Sequence, residues 1–310
     1  MRRATIASVV GAMDAADHAA PTIGRFQPLD WVLFVVPGLI WGSSFYFIAV
    51  GLESMSPGAI TPLRVLLGLT VLSCLPASRV PVPHSAWPNI ALLGVVWLAV
   101  PLTLFPYAEQ HVTSSVTGML NGATPVFAML VATSIHRRLP SRGQVAGIVI
   151  GLVGVVLIAL PAVGEGSSSA AGVGMILVAV VLYGFAINIA APLQRRYGAL
   201  PVLWRAEMVA MVLLAPLGLA SIGGSGFTWR SAVAVVLLGV LGTAVAHAVA
   251  ATLAGRVGAT RASATTYLIP VVSLSLGTIV HGEQVATLAI VGSGLALAGA
   301  AILGRSAARH

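Results

Sequence analysis

Residues 143–161 read GQVAGIVIGLVGVVLIALP, nineteen positions without a charged side chain. An α-helix of that length rises roughly 30 Å, the thickness of a bilayer's hydrocarbon core. Working outward, nine further segments of similar length and character appear, set apart by turn or charge signals. With the first they run over 31–50, 58–76, 88–108, 113–134, 143–161, 171–191, 201–220, 231–253, 262–280 and 285–304. This spacing predicts an all-α integral membrane protein of ten transmembrane helices. Trp31, Trp87 and Trp229 fall where segments begin, as interfacial aromatics should.

Composition points the same way. The 310 residues are 58% hydrophobic and 8% charged, with mean hydropathy +0.99, far more apolar than a soluble core of this size can hide. A net charge of +8 would suit a nucleic-acid partner, but the cations lie singly or in pairs between apolar runs. That is a topology pattern, so no nucleic-acid partner is assigned. Cys74 is the sole cysteine, which leaves neither a disulfide framework nor a cysteine metal site. There is no HExxH pair, no P-loop and no nucleophile elbow, so the sequence supports no enzyme chemistry, no metal and no cofactor. Residues 1–30 read as a polar arm rather than a signal peptide, because the apolar run from Thr5 to Met13 is too short.

Arginine sets the orientation. If the N-terminus is cytoplasmic, thirteen of the sixteen arginines fall on that side, Arg230 alone on the other, and Arg64 and Arg205 inside helices. The opposite side collects Glu53, Glu109, Glu165 and Glu283. The alternation predicts both termini in the cytoplasm and a place in the cell membrane.

Sliding the chain by 145 positions exposes an internal repeat. Leu92-Leu93-Gly94-Val95 falls on Leu237-Leu238-Gly239-Val240, Pro125 on Pro270, His136 on His281, Gly147 on Gly292 and Gly154 on Gly299. The first helices of each half match more loosely, Trp41-Gly42 over Tyr183-Gly184 and Arg64 over Arg205 with a one-residue slip. Because the shift crosses five helices, the copies at 31–161 and 171–304 have opposite orientations, an arrangement typical of transporters.

The chain resembles the drug/metabolite transporter superfamily, EamA type, with two such domains from about 31 to 305. The likeness rests on Trp41-Gly42-Ser43-Ser44-Phe45 followed by Arg64, on His111-Val112-Thr113-Ser114-Ser115 leading to Pro125, and on Gly258-Ala259-Thr260-Arg261-Ala262-Ser263 followed by Pro270 and Gly282-Glu283. The loop after the fourth helix reads His136-Arg137-Arg138, where the family usually has Gly-Glu. The resemblance implies a secondary transporter of small metabolites, often an exporter, working by alternating access. A non-transporting membrane scaffold or accessory subunit is the competing reading.

Intramembrane polar groups are the candidate site. Arg64 either draws a substrate carboxylate or phosphate into a central cavity or satisfies helix-end carbonyls. Pro125, Pro270 and Pro192 free the carbonyls of Asn121, Thr266 and Asn188, and opposed kinks at Pro125 and Pro270 would line one cavity. Trp41, Trp97, Tyr107, Tyr183 and Tyr267 are candidate walls, and Ser44 a hydroxyl donor unless it bonds its own helix. Glu207 and His247 are candidates for ion coupling, with a structural ion pair and a packing histidine as the alternatives. Gly143, Gly147 and Gly151, like Gly292, Ala296 and Ala300, form small-residue stripes. Packing inside the bundle is their plainer use and a homodimer interface the other.

Overall fold

The computed structural model describes residues 26–136 and 139–307. Among the described residues ten helices are long and apolar enough to cross a membrane: α1 (Pro28–Leu52), α2 (Pro57–Cys74), α3 (His84–Ala108), α4 (Ser114–Ile135), α5 (Arg142–Gly164), α6 (Ser169–Tyr197), α7 (Ala199–Ile222), α8 (Trp229–Val257), α9 (Arg261–Ile279) and α10 (Thr287–Ser306). Most of the predicted arm, residues 1–25, lies outside the described residues, and α1 begins inside it at Pro28.

Local chemistry sets the ends. Pro28 and Pro57 open α1 and α2 in the first turn, where the missing N–H costs nothing. Ser141 and Gln144 form a reciprocal capping box at the start of α5, and the Thr228 hydroxyl accepts the Ser231 N–H at 3.2 Å to start α8.

The packing carries the repeat symmetry. The pair α4–α6 is answered by α9–α1, and α3–α7 by α8–α2, while α2–α7 and α5–α10 map onto themselves. The two halves are therefore interleaved. Helices α1, α8 and α9 form one bundle, and α3, α4 and α6 the other. Arg256–Asp30 at one end and Arg230–Glu53 at 3.4 Å at the other tie α8 to α1. Each bundle draws helices from both sequence halves.

The small-residue stripes are used internally. Gly147 and Gly154 of α5 lie against the backbone of α10 at Gly299 and Gly292, so a β-carbon at any of the four would overlap main-chain atoms. In α1, Gly42 lets α9 approach at Val272 and Ile269.

Several helices depart from α geometry, in matched places. Residues Gly94–Ala99 of α3 and Leu238–Val245 of α8 are π-helical. Both begin within the Leu-Leu-Gly-Val stretches, 92–95 and 237–240, that the 145-residue shift superposes. In α4 the helix breaks at Gly122-Ala123, just before Pro125, and in α9 a 3-10 turn over Ala264–Tyr267 precedes Pro270. A break thus precedes each of the two repeat-related prolines.

Candidate functional site

A cavity of about 230 Å³ lies between the two bundles, lined mainly by apolar and aromatic side chains with a few polar groups. Helix α1 supplies Trp41, Ser44, Phe45 and Ile48, α8 supplies Thr243 and His247, and α9 Thr266 and Ile269. From the other bundle come Trp97, Leu98, Leu102 and Phe105 of α3, Asn121 and Thr124 of α4, and Tyr183 and Ile187 of α6. Arg64 of α2 completes the lining as its one charged side chain.

The lining is buried toward the pole opposite the termini, with Phe45, Ile48 and Phe105 at 5%, 1% and 2% exposure. It becomes accessible in the other direction, where Thr124 and Thr266 are part-exposed and Ile187 is 46% exposed. The cavity opens toward the termini.

The closed pole is a seam between α4 and α9. Gly118 lies on Ser273, Gly122 on Pro270 and Gly277 on Ser115, each too close to admit a β-carbon. The chain then turns at Gly282, whose φ of +73° belongs to glycine, and the Glu283 N–H returns to the Gly277 carbonyl at 2.9 Å. This turn delivers the Glu283 carboxylate to the free N-terminus of α4. One of its oxygens accepts the Ser114 N–H at 2.9 Å and hydroxyl at 2.7 Å, and the other accepts the Ser115 N–H at 2.9 Å and its hydroxyl. A carboxylate at a helix N-terminus with four donors is a strong latch.

Arg64 is buried at 7% exposure, and its Nε donates to the Thr243 hydroxyl at 3.0 Å. Among the described residues it forms no ion pair. The π-helical turn of α8 positions this partner, because Gly239 brings α8 onto the Arg64 carbonyl and Leu67. Across the cavity, Asn121 Oδ1 is buried without a hydrogen-bond donor, an unusual state for an amide oxygen. His247 stands between the rings of Trp41 and Trp97, with centroids 5.1 and 5.5 Å away, and its Nδ1 meets the Thr243 carbonyl at 2.8 Å. Trp41 donates its indole N–H to the Gly242 carbonyl at 3.1 Å.

Of the residues singled out from sequence, the structure gathers Trp41, Ser44, Arg64, Trp97, Asn121, Tyr183, Thr266 and His247 around the cavity. Ser44 returns its hydroxyl to the Ile40 carbonyl, and Thr266 to that of Ser263. Asn188 does not reach the cavity: its amide donates to the carbonyls of Ala128 on α4 and Gly184 on its own helix. Tyr267 turns to α10, donating to the Ala300 carbonyl at 2.8 Å. Glu207 is fully buried behind the lining, and neither of its oxygens has a hydrogen-bond partner. Arg205 serves carbonyls, those of Pro201, Ser78 and Val80.

Glu109 was missed. An acid directly after an apolar segment reads as a loop residue, yet both its carboxylate oxygens are buried and unbonded at the closed pole. Burial holds its carboxyl well above the usual carboxylate range, and the neighbouring charge of Glu283 adds to this, against a smaller opposing effect of Arg64.

Comparison with known proteins follows the same division of the chain. The sequence profile of the EamA-like transporter family matches residues 31–160 and again 170–305. An uncharacterized transporter of Archaeoglobus fulgidus is 24% identical over 89% of this chain and 98% of its own length. A probable terminal-alkyne amino-acid exporter of Streptantibioticus cattleyicolor is 28% identical over 89% of this chain and 93% of its own. The uncharacterized transporter YdfC of Bacillus subtilis is 27% identical over 84% and 86%. A solved crystal structure, 17% identical, superposes with a TM-score of 0.59 over 89% of this chain and 96% of that one, which shows a shared fold.

Proposed function

We propose, because this chain belongs to the EamA-like transporter family and is a multi-pass membrane transporter, that it exports a small amphipathic carboxylate of the amino-acid class. The observation that carries this reading is the pairing of opposite needs in an apolar cavity. Among the described residues Arg64 forms no ion pair and has guanidinium donors to spare, while Asn121 Oδ1 lacks a donor. A carboxylate on the first and an ammonium on the second satisfy both, and the rings of Trp41, Trp97, Phe105 and Tyr183 surround an apolar side chain. The exporter among the relatives supports the same class of solute.

Transport proceeds by alternating access. The interleaved bundles exchange the open pole for the closed one about the site, bending at the breaks before Pro125 and Pro270. The arginine tally supports cytoplasmic termini in the cell membrane, so the open cavity faces the cytoplasm, where an exporter loads. The filled interior that a mere scaffold would have is at odds with the cavity.

Counterflow in proteoliposomes tests the reading, with labelled L-propargylglycine and L-phenylalanine as probes. Exchange of either probe is expected, and Arg64→Ala should reduce it about tenfold or more while leaving the purified protein folded. Retained exchange in Arg64→Ala would sink the assignment.

A further inference from the structure

Behind the cavity wall lies an acid that the site as described leaves unused. Glu207 on α7 has no exposed surface and no hydrogen-bond partner for either oxygen. Its location is fixed through Gly68 of α2, one helical turn beyond Arg64. A β-carbon at Gly68 would stand 3.4 Å from Glu207 Oε2 and 2.7 Å from Thr243 Cγ2. Thr243 thus separates two opposite groups: its methyl lies against Gly68 beside the acid, and its hydroxyl holds the Arg64 Nε. Arg64 on α2 is the charged group that acts on this acid, and around Arg64 in turn stand Tyr183 on α6, Glu109 after α3 and His247 on α8, one turn past Thr243. Arg205, on the same helix as Glu207, is turned away to its carbonyls. Of these, Arg64 is the full cation that can reach the acid.

A carboxylate without partners in such surroundings is stable only as the neutral acid. Losing its proton would leave a bare charge whose nearest relief is the guanidinium now facing the cavity. We infer that Glu207 and the transported carboxylate compete for Arg64, so that substrate binds when Glu207 carries a proton and is displaced when it does not. This rests on the reading of Arg64 as the carboxylate anchor. Proton and carboxylate then favour one another's binding, and by linkage the effect is reciprocal. Two ligands that load together leave together. The proton accompanies the solute in the same direction, so export is driven by the solute's own gradient and opposed by an acidic exterior.

The test uses wild-type proteoliposomes loaded with L-propargylglycine or L-phenylalanine, with pyranine in the lumen. Efflux of the amino acid is expected to make the lumen more alkaline as protons leave with it. In Glu207→Gln the pyranine change per exported solute should fall about tenfold or more. Acidification of the lumen, which would mean exchange against protons, overturns the inference, as does Arg64-dependent efflux with no pH change; in both cases the carboxylate anchor stands. If neither probe moves, the anchor reading itself fails and this inference with it. Should Glu207→Gln not fold, the sign of the wild-type signal alone decides.

Discussion

Glu109 follows α3 as Glu53 follows α1, yet Glu53 meets Arg230 in the open while both oxygens of Glu109 are buried and unbonded. The raised proton affinity of Glu109 has a signed consequence. Below the ordinary carboxylate value of 4.5 the group is protonated in folded and unfolded chains alike and has no effect on stability. As pH climbs through that value toward the raised one, the unfolded chain ionises first and the folded state loses stability. Glu109→Gln removes this loss. Thermal unfolding in detergent should show the variant about 2–4 °C more stable than its parent near pH 8, and equal to it near pH 4. Sequence could not show this, because what matters is the cover over the acid. The same holds for Asn188 and Tyr267: their positions on a helix were legible, but which neighbour each faced was not.

At the scale of elements, the breaks in α4 and α9 were legible because a proline's missing N–H is local chemistry. The π-helical turns in α3 and α8 were not. Their Leu-Leu-Gly-Val stretches stood out as a repeat, but an extra residue in the turn depends on how tightly Gly94 meets α7 and Gly239 meets α2. Those turns place Trp97 and Thr243, the latter holding Arg64, so half the site's geometry rested on a register that periodicity alone does not encode. The Gly282-Glu283 motif acquires its reason here too, as the turn and the latch that join α9 to α4. Gly277→Ala would set a methyl group onto Ser115 Oγ and the Glu283 carboxylate. The latch cannot then form as described, and the variant should unfold about 2–4 °C lower, measured in detergent.

For the whole molecule, ten helices and their inverted halves followed from hydropathy, arginine placement and the 145-residue shift. The interleaving did not, since sequence order says nothing about which half a helix packs on. Interleaving predicts an accessibility pattern. With Cys74 replaced by serine, Thr266→Cys should react with a membrane-impermeant thiol reagent from the side bearing the termini. Ser273→Cys, buried in the closed seam, should react from the opposite side, and only while substrate is being turned over. Labelling of Ser273→Cys without substrate would contradict the seam. The two poles are also unequal: Glu283 latches one, whereas the corresponding loop, His136-Arg137-Arg138, carries no acid. The contacts between α5 and α10 treat the poles alike. Gly147 meets Gly299 and Gly154 meets Gly292, and the repeat relation exchanges these two contacts with each other. A mechanism that turns the molecule inside out needs one part that the inversion leaves unchanged, and this crossing of four glycines is such a part: a fulcrum, indifferent to which side of the membrane is open.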